Sequence, residues 1–179
     1  MSGKSRYWLV KTEPTSYSID DLARDHKTYW DGVRNYQARN TMRDDMSVGD
    51  KVLFYHSNAN PPGIAGLAVV TGPPIADHTA FDPEHKHFDP KSRHDRPTWM
   101  MIELGFVQKF DRFISLDELR EVSGLDDMVL LQKGSRLSVQ PVTEAQFHRI
   151  LEIASTIMSE SLTYQTFPLN SSAKPALIS

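Results

Sequence analysis

The sequence has no cysteine and no long apolar run, and both absences narrow what the protein can be. Without cysteine among its 179 residues, the chain forms no disulfide, no thiolate metal site and no thiol nucleophile. No apolar stretch approaches the roughly 18 residues that a membrane-spanning helix needs, and the opening residues, MSGKSRYWLVKTEP, lack the form of a signal peptide. We therefore expect a soluble, cytoplasmic protein with no membrane partner, which acts as a monomer.

An excess of positive charge and the common catalytic motifs are also missing. The net charge is −3 and the sequence pI is about 6.1, whereas proteins that grip long duplexes through many phosphates are usually basic. Any nucleic-acid role must therefore rest on a local site. The spacings GxSxG, GxxxxGK[ST], GxGxxG and HExxH and the EF-hand loop are absent, which predicts a protein that is not an enzyme and holds no cofactor.

The pattern of apolar and turn residues predicts an α+β domain. Strands are predicted at 6–11, 28–32, 51–56, 63–72, 98–110 and 135–142. Helices are predicted at 19–25, 35–44, 115–122 and 143–154, three of them opened by the cap signatures Ser18–Asp21, Ser115–Glu118 and Thr143–Gln146. Because strands and helices do not alternate regularly, a small, curved, mostly antiparallel barrel with short peripheral helices fits better than a doubly wound sheet. We expect the domain to span 1–158 and a poorly ordered tail to span 159–179.

Residues 73–97 form a predicted long loop that is rich in proline and histidine. Four of the seven histidines lie here: His78, His85, His87 and His94. His85 and His87 could chelate a metal from an extended segment, but their proline-rich and charged flanks favour a solvated loop. We therefore predict no metal site.

The segment TYWDGVRNYQARN (28–40) combines rings, arginines and asparagines in an unusual density. A flat indole at Trp30 beside the donors of Arg34 and Asn35 is the arrangement needed to stack a planar ring and to read its edge. Composition alone equally allows Trp30 to be a core residue and the arginines to be solvated. Small polar groups also end the next predicted strand, at Tyr55 to Asn58.

Several stretches of the chain resemble the EVE domain family. They include YWLVKTEPTSYSIDDL (7–22), YWDGVRNYQARNTMRDDMSVGDKVLFYHSN (29–58), GIAGLAVV (63–70), TAFDPEHKHFDPKS (79–92), PTWMMIELGFVQKF (97–110) and LLQKGSRLSVQPVTEAQFHRIL (130–151). The resemblance runs from about residue 6 to 154, with "KTEP.SYS", "GVRNYQARN" and "YHSN" in the expected order.

The resemblance implies both a fold and a function. EVE domains are similar to PUA, ASCH and YTH domains, whose small pseudo-barrel of mixed, mainly antiparallel strands carries flanking helices. EVE domains are implicated in binding modified bases, and YTH relatives hold a methylated adenine in an aromatic cage. The implied function is therefore non-catalytic binding of a modified nucleobase in DNA or RNA. Binding of a free nucleoside or another small anionic metabolite stays open as the alternative.

The resemblance also implies roles for particular residues. Trp30 lies where the YTH pattern has its first cage tryptophan, while the match at Trp99 is too loose to assign a second. The residues expected to contact the base are Trp30, Asn35, Tyr55, Ser57, Asn58 and Lys11. The residues expected to meet flanking phosphates, where they would orient the ligand without choosing the base, are Arg34, Arg39 and Arg43.

Overall fold

The computed structural model describes residues 6–155, so the predicted tail at 159–179 lies outside the described residues. The α+β class is confirmed by a mixed sheet and four short helices within this range. The strands are β1 (Tyr7–Thr12), β2 (Lys27–Trp30), β3 (Lys51–His56), β4 (Gly63–Val70), β5 (Ile75–Ala76), β6 (Met100–Ser115) and β7 (Val139–Val142). The helices are α1 (Ile19–Asp25), α2 (Tyr36–Asn40), α3 (Leu116–Glu121) and α4 (Glu144–Ser155).

The seven strands form one sheet in the order β2-β6-β4-β3-β1-β7, with β5 paired to β6. β1 and β3 run parallel, and the other pairs are antiparallel. The sheet does not close into the expected small barrel, because within residues 6–155 β2 pairs only with β6 and β7 only with β1. The sheet therefore keeps two open edges.

Each face of the sheet carries its own apolar core, because side chains alternate along a strand. On β3, Val52 and Phe54 join one core, while Leu53 and Tyr55 join the other. Helices α1 and α2 cover the first face, and α3 and α4 cover the second. Trp30 belongs to the first core.

The helix starts follow their predicted caps. Ser18 and Asp21 form a reciprocal capping box at α1, and Ser115 caps α3 through the backbone N–H of Glu118. At α4, the predicted box forms between Thr143 and Gln146. Such caps satisfy backbone donors that have no partner inside the helix.

Three segments show the main differences from the predicted elements. The predicted helix at 35–44 is α2 followed by a π-helical turn at Thr41–Asp45. The predicted strand at 98–110 is β6, which continues to Ser115 because it pairs with β2 and β5 near its start and with β4 along its length. The predicted loop at 73–97 is mainly irregular, but it contains β5 and a 3-10 turn at His78–Phe81.

A buried carboxylate fixes the starts of the parallel strands β1 and β3. Asp50 accepts hydrogen bonds from the backbone N–H of Arg6 at 3.0 Å, from the indole Nε1 of Trp8 at 2.9 Å and from the backbone N–H of Ser47 at 2.9 Å. Only 3% of Asp50 is exposed, so water cannot replace these bonds.

We predict that Asp50→Ala lowers the free energy of unfolding by roughly 3 kcal/mol, because the buried indole N–H of Trp8 and two partly buried backbone N–H groups lose their acceptor. Denaturant unfolding measures the change. The control is Asp45→Ala, whose exposed carboxylate makes only a 3.7 Å ion pair with Arg6 and should change stability by less than about 0.5 kcal/mol. Equal losses in the two variants would contradict the role given to Asp50.

Candidate functional site

A cavity of about 480 Å³ lies between the two open edges of the sheet. One wall comes from edge strand β2 and the turn after it, and the opposite wall comes from the end of β1 and the residue before edge strand β7. The lining consists of Lys11, Thr12, Ser16, Tyr17, Thr28, Tyr29, Trp30, Asp31, Gly32, Val33, Arg34, His85, Lys86, His87 and Ser138. The gap that prevents barrel closure is therefore a site large enough for a small ligand.

Trp30 lies in this lining although only 8% of it is exposed. Its ring packs edge-on against Phe54, with the centroids 5.6 Å apart. The other two tryptophans use their indole N–H inside the protein, Trp8 on Asp50 at 2.9 Å and Trp99 on Asp89 at 2.7 Å. Among residues 6–155, the indole Nε1 of Trp30 makes no hydrogen bond. The atom is also not fully buried, so solvent or a ligand can reach it. Trp30 therefore has a solvent-accessible indole donor and belongs to the cavity lining.

Two tyrosines in the lining were missed by the sequence reasoning. Tyr17 packs against the core that contains Trp30, and its hydroxyl donates to Asp25 at 3.0 Å. Tyr29, which precedes Trp30, is 45% exposed. Tyr17 stands within the "KTEP.SYS" motif, so its place in a matched motif was the available signal.

The turn that follows β2 is held by the buried carboxylate of Asp77. Asp77 accepts from the backbone N–H of Gly32 and from Arg34 Nη1, both at 2.8 Å, and from the backbone and hydroxyl of Thr79. Burial alone would raise the pKa of Asp77, but the hydrogen bonds from Arg34, Thr79 and Gly32 outweigh it and lower the pKa. The carboxylate therefore stays charged and keeps the cavity wall in place.

The histidine loop packs onto this turn rather than standing free in solvent. Gly32 has φ +74°, and a Cβ at this position would lie 2.5 Å from Cε1 of His87, so only glycine suits both the backbone and the contact. Burial, followed by the charges of Arg34, Lys86 and His85, lowers the pKa of His87. Its ring is therefore neutral near pH 7, with a buried Nδ1 that has no partner.

Two lysines supply the uncommitted positive charge of the cavity. Lys11 Nζ lies 3.4 Å from the carbonyl of Ser135 and 5.8 Å from the centroid of the Tyr55 ring, and burial lowers its pKa. Lys86 is exposed on the histidine loop. Neither lysine has a carboxylate partner in the described part of the chain, so both are available to a ligand.

Four of the expected base contacts lie outside the lining. Asn35 caps α2 by accepting from the backbone N–H of Ala38 at 2.9 Å. Tyr55 is buried in the core on the opposite face from Trp30. Ser57 donates its backbone N–H to Thr12, and Asn58 donates its side-chain amide to Glu13. A base role for these four residues stays a prediction, and the geometry brings only Trp30 and Lys11 of the expected set to the cavity.

The three arginines expected at phosphates all have partners within the protein. Arg34 lines the cavity, but its guanidinium is bound to Asp77, to Thr79 and to the carbonyl of His87. Arg39 donates to the carbonyl of Thr98 at 2.7 Å and to Asn40. Arg43 forms an exposed ion pair with Asp44. Arg34 therefore fixes the cavity wall, while a phosphate role for Arg39 and Arg43 stays a prediction.

An exposed aromatic surface adjoins Arg34 outside the cavity. Tyr36 is 61% exposed and rests on Trp99, with ring centroids 4.9 Å apart. The guanidinium of Arg39 lies 5.0 Å from the Tyr36 ring, and that of Arg34 lies 5.3 Å from the Trp99 ring. Trp99 itself is buried, so it supports Tyr36 rather than lining the cavity.

Two negative findings hold for the described residues. Residues 6–155 contain no group of three or more histidine or acidic side chains that could hold a metal ion. None of the helices in the same range is both long enough and apolar enough to cross a bilayer.

Comparison with known proteins finds a matching family model, similar proteins and similar solved structures. The family model for the EVE domain matches residues 6–153. Human thymocyte nuclear protein 1 is 42% identical over 168 residues, which is 83% of this chain and 74% of that protein. A crystal structure of human THYN1 protein in complex with 5-methylcytosine-containing DNA is 40% identical, with a TM-score of 0.78 and coverage of 84% of this chain and 98% of that one. A Pseudomonas putida crystal structure is 48% identical, with a TM-score of 0.80 over 83% and 99% of the two chains.

We predict that Asp77→Ala destabilises the protein by about 3 kcal/mol, because it leaves a largely buried guanidinium and a backbone N–H without their acceptor. The matched control is Asp95→Ala, which removes a carboxylate from an exposed ion pair with Arg93 and should cost less than about 0.5 kcal/mol. Denaturant unfolding of both variants provides the comparison. If Asp77→Ala and Asp95→Ala lowered the free energy of unfolding by the same small amount, Asp77 would not hold the cavity wall.

Proposed function

Because the chain belongs to the EVE domain family, we propose that it binds one modified nucleobase of DNA or RNA, without catalysis, in the cavity between the open edges of its sheet. The observation that carries this proposal is Trp30, which brings an aromatic ring and a free indole N–H to the cavity lining. Stacking on the ring would hold the base, and the N–H would meet an acceptor on its edge.

The relatives support modified DNA as a partner. Human THYN1 protein, which has been solved with 5-methylcytosine-containing DNA, shares the fold of this chain at 40% identity. The same cavity could take a base from single-stranded RNA, since base stacking on a ring does not depend on the sugar. We therefore propose DNA first and keep RNA as a second polymer. The cytoplasmic location stays a prediction.

In this binding mode, the free-energy cost of extruding a base is similar in size to the gain from a single stacking contact. Extruding one base from its stack costs a few kcal/mol, and stacking on an aromatic side chain returns about 1–3 kcal/mol. Burying a methyl group on the base adds about 1 kcal/mol. A modification can therefore decide whether the base stays in the cavity.

The few unpaired positive charges in the cavity lining fit a ligand that contacts the protein at a single nucleotide. Lys11 and Lys86 are the cations in the lining that have no acidic partner, and we propose that they meet the phosphates beside the bound base. Two such contacts in a protein of net charge −3 imply a weak dependence of affinity on salt.

Binding of a free nucleoside is the alternative function, and the cavity volume of about 480 Å³ favours it by leaving room for a base with its sugar. The exposed Tyr36, supported by Trp99 and flanked by Arg39, favours a polymer because it offers a stacking surface outside the cavity. The affinities of 5-methyldeoxycytidine and of an oligonucleotide containing the same base separate the two. Equal affinities would support the nucleoside.

We predict that Trp30→Leu weakens binding of an oligonucleotide containing 5-methylcytosine by roughly 5- to 150-fold, which is the value of one stacked ring. Trp30→Ala is a poor test, because most of the indole is buried and its removal would cost about 3–5 kcal/mol of stability.

The control for Trp30→Leu is Trp8→Phe, which removes a buried indole N–H at a distance from the cavity lining. Affinities are measured by fluorescence anisotropy at a temperature at which thermal melts show all proteins folded. Wild-type affinity in a folded Trp30→Leu protein would remove the case for a base at this ring.

We predict that Tyr36→Ala weakens oligonucleotide binding by about fivefold or more, because an exposed stacking surface is lost, and leaves nucleoside binding unchanged. Val48→Ala serves as the control, since Val48 is also 61% exposed and lies outside the cavity lining. Equilibrium titrations with both ligands give the two affinities. An equal loss for nucleoside and oligonucleotide would argue against a polymer contact at Tyr36.

A further inference from the structure

Asp31 has a carboxylate without a partner at the edge of the cavity. Every other Asp or Glu between residues 6 and 82 takes part in a hydrogen bond or an ion pair: Glu13, Asp20, Asp21, Asp25, Asp44, Asp45, Asp50, Asp77 and Asp82. Asp31 makes neither within the described residues, although it lines the cavity beside Trp30. Its backbone is held in place, because the N–H of the next residue, Gly32, is bound to Asp77 at 2.8 Å.

A free carboxylate is unfavourable beside an anionic polymer unless it receives a hydrogen bond from the ligand. An ionised carboxylate is an acceptor only, so its partner on a base must be an N–H group. The cations nearest to the turn do not neutralise it, since Arg34 is bound to Asp77 and Lys86 forms no ion pair with Asp31 in the described residues. His87 also stays neutral, because burial lowers its pKa more than Asp31 raises it.

Among the side chains of the lining, Asp31 is the one carboxylate, and the indole N–H of Trp30 is a donor on the residue next to it. Cytosine and adenine present an exocyclic amino group, which donates, next to ring or carbonyl acceptors. Thymine and uracil present the O4 carbonyl at position 4 and donate only through the neighbouring ring N3–H, so a carboxylate that faces position 4 would meet a second acceptor. A carboxylate that faces position 4 of the bound base therefore matches an amino group there and mismatches a keto oxygen.

We propose that Asp31 selects the base by accepting its exocyclic amino group, so that the site takes cytosine-type and adenine-type bases and rejects thymine and uracil. This inference rests on the proposed function and names the class of base that the site reads. 5-Methylcytosine and thymine form the matched ligand pair, because both carry the same C5 methyl group and differ in the amino group at position 4.

The test compares two single-stranded oligonucleotides that are identical except for 5-methylcytosine or thymine at one position. Single strands remove any difference in the cost of opening a base pair. Affinities are measured by anisotropy for the wild type, for Asp31→Asn and for Asp111→Asn. Asp111 is another exposed carboxylate without a recorded hydrogen bond or ion pair, and it lies outside the cavity lining, so both variants lose the same charge.

We expect the wild type and Asp111→Asn to prefer 5-methylcytosine over thymine by roughly tenfold or more, as a good hydrogen-bonded match to a base does. We expect Asp31→Asn to bring the ratio close to one, because an amide can donate to O4 as well as accept from the amino group. Asp31 is exposed and unpartnered, so the asparagine variant should fold like the wild type, which a thermal melt verifies.

The outcomes separate the inference from the function on which it rests. If the wild type binds 5-methylcytosine and Asp31→Asn keeps the same preference over thymine, the assignment of Asp31 is overturned while base binding stands. If the wild type binds both oligonucleotides equally, Asp31 is likewise overturned as the selecting group. If the wild type binds neither, the proposed function fails, and the inference fails with it.

Discussion

The buried contact between Asp77 and Arg34 is the constraint on which the candidate site depends. It joins the turn after β2 to the loop that follows β5, two segments more than forty positions apart in the chain. Because the carboxylate is fully buried and the guanidinium largely so, neither can exchange its partner for solvent at low cost. The same guanidinium holds the carbonyl of His87, so one ion pair positions the turn, the histidine loop and the cavity wall between them.

The open sheet explains why a cavity exists where it does. A barrel that closed between β2 and β7 would satisfy both edges with backbone hydrogen bonds and would leave no space between them. Here the edges stay apart, and the residues that end or border these strands line the gap. Trp30 belongs both to the apolar core and to the cavity lining, so it contributes to stability as well as to the site.

The distribution of charge resolves an apparent conflict between an acidic protein and a nucleic-acid ligand. The arginines of the 28–40 segment donate to acceptors within the protein itself. A planar guanidinium has several N–H groups and can therefore bind several acceptors at once. Two lysines without a carboxylate partner and one aspartate without an ion pair among the described residues remain at the cavity. Under the proposed function, such a site would bind a single base through a small number of contacts and would not need the broad positive surface with which other proteins bind a duplex.

The sequence by itself determined the α+β class, most strand and helix positions, the caps at Ser18 and Thr143, and the importance of the segment around Trp30, because these depend on local periodicity, local hydrogen bonds and matched motifs. Tertiary structure alone decided which polar groups are free. Asn35 caps a helix, Arg34 forms an internal ion pair with Asp77, and Tyr55 lies in the core on the opposite face of the sheet. Asp31 and Tyr17, by contrast, line the cavity. Whether a donor or acceptor is available depends on partners that lie far away in the chain, and only folding brings those partners together.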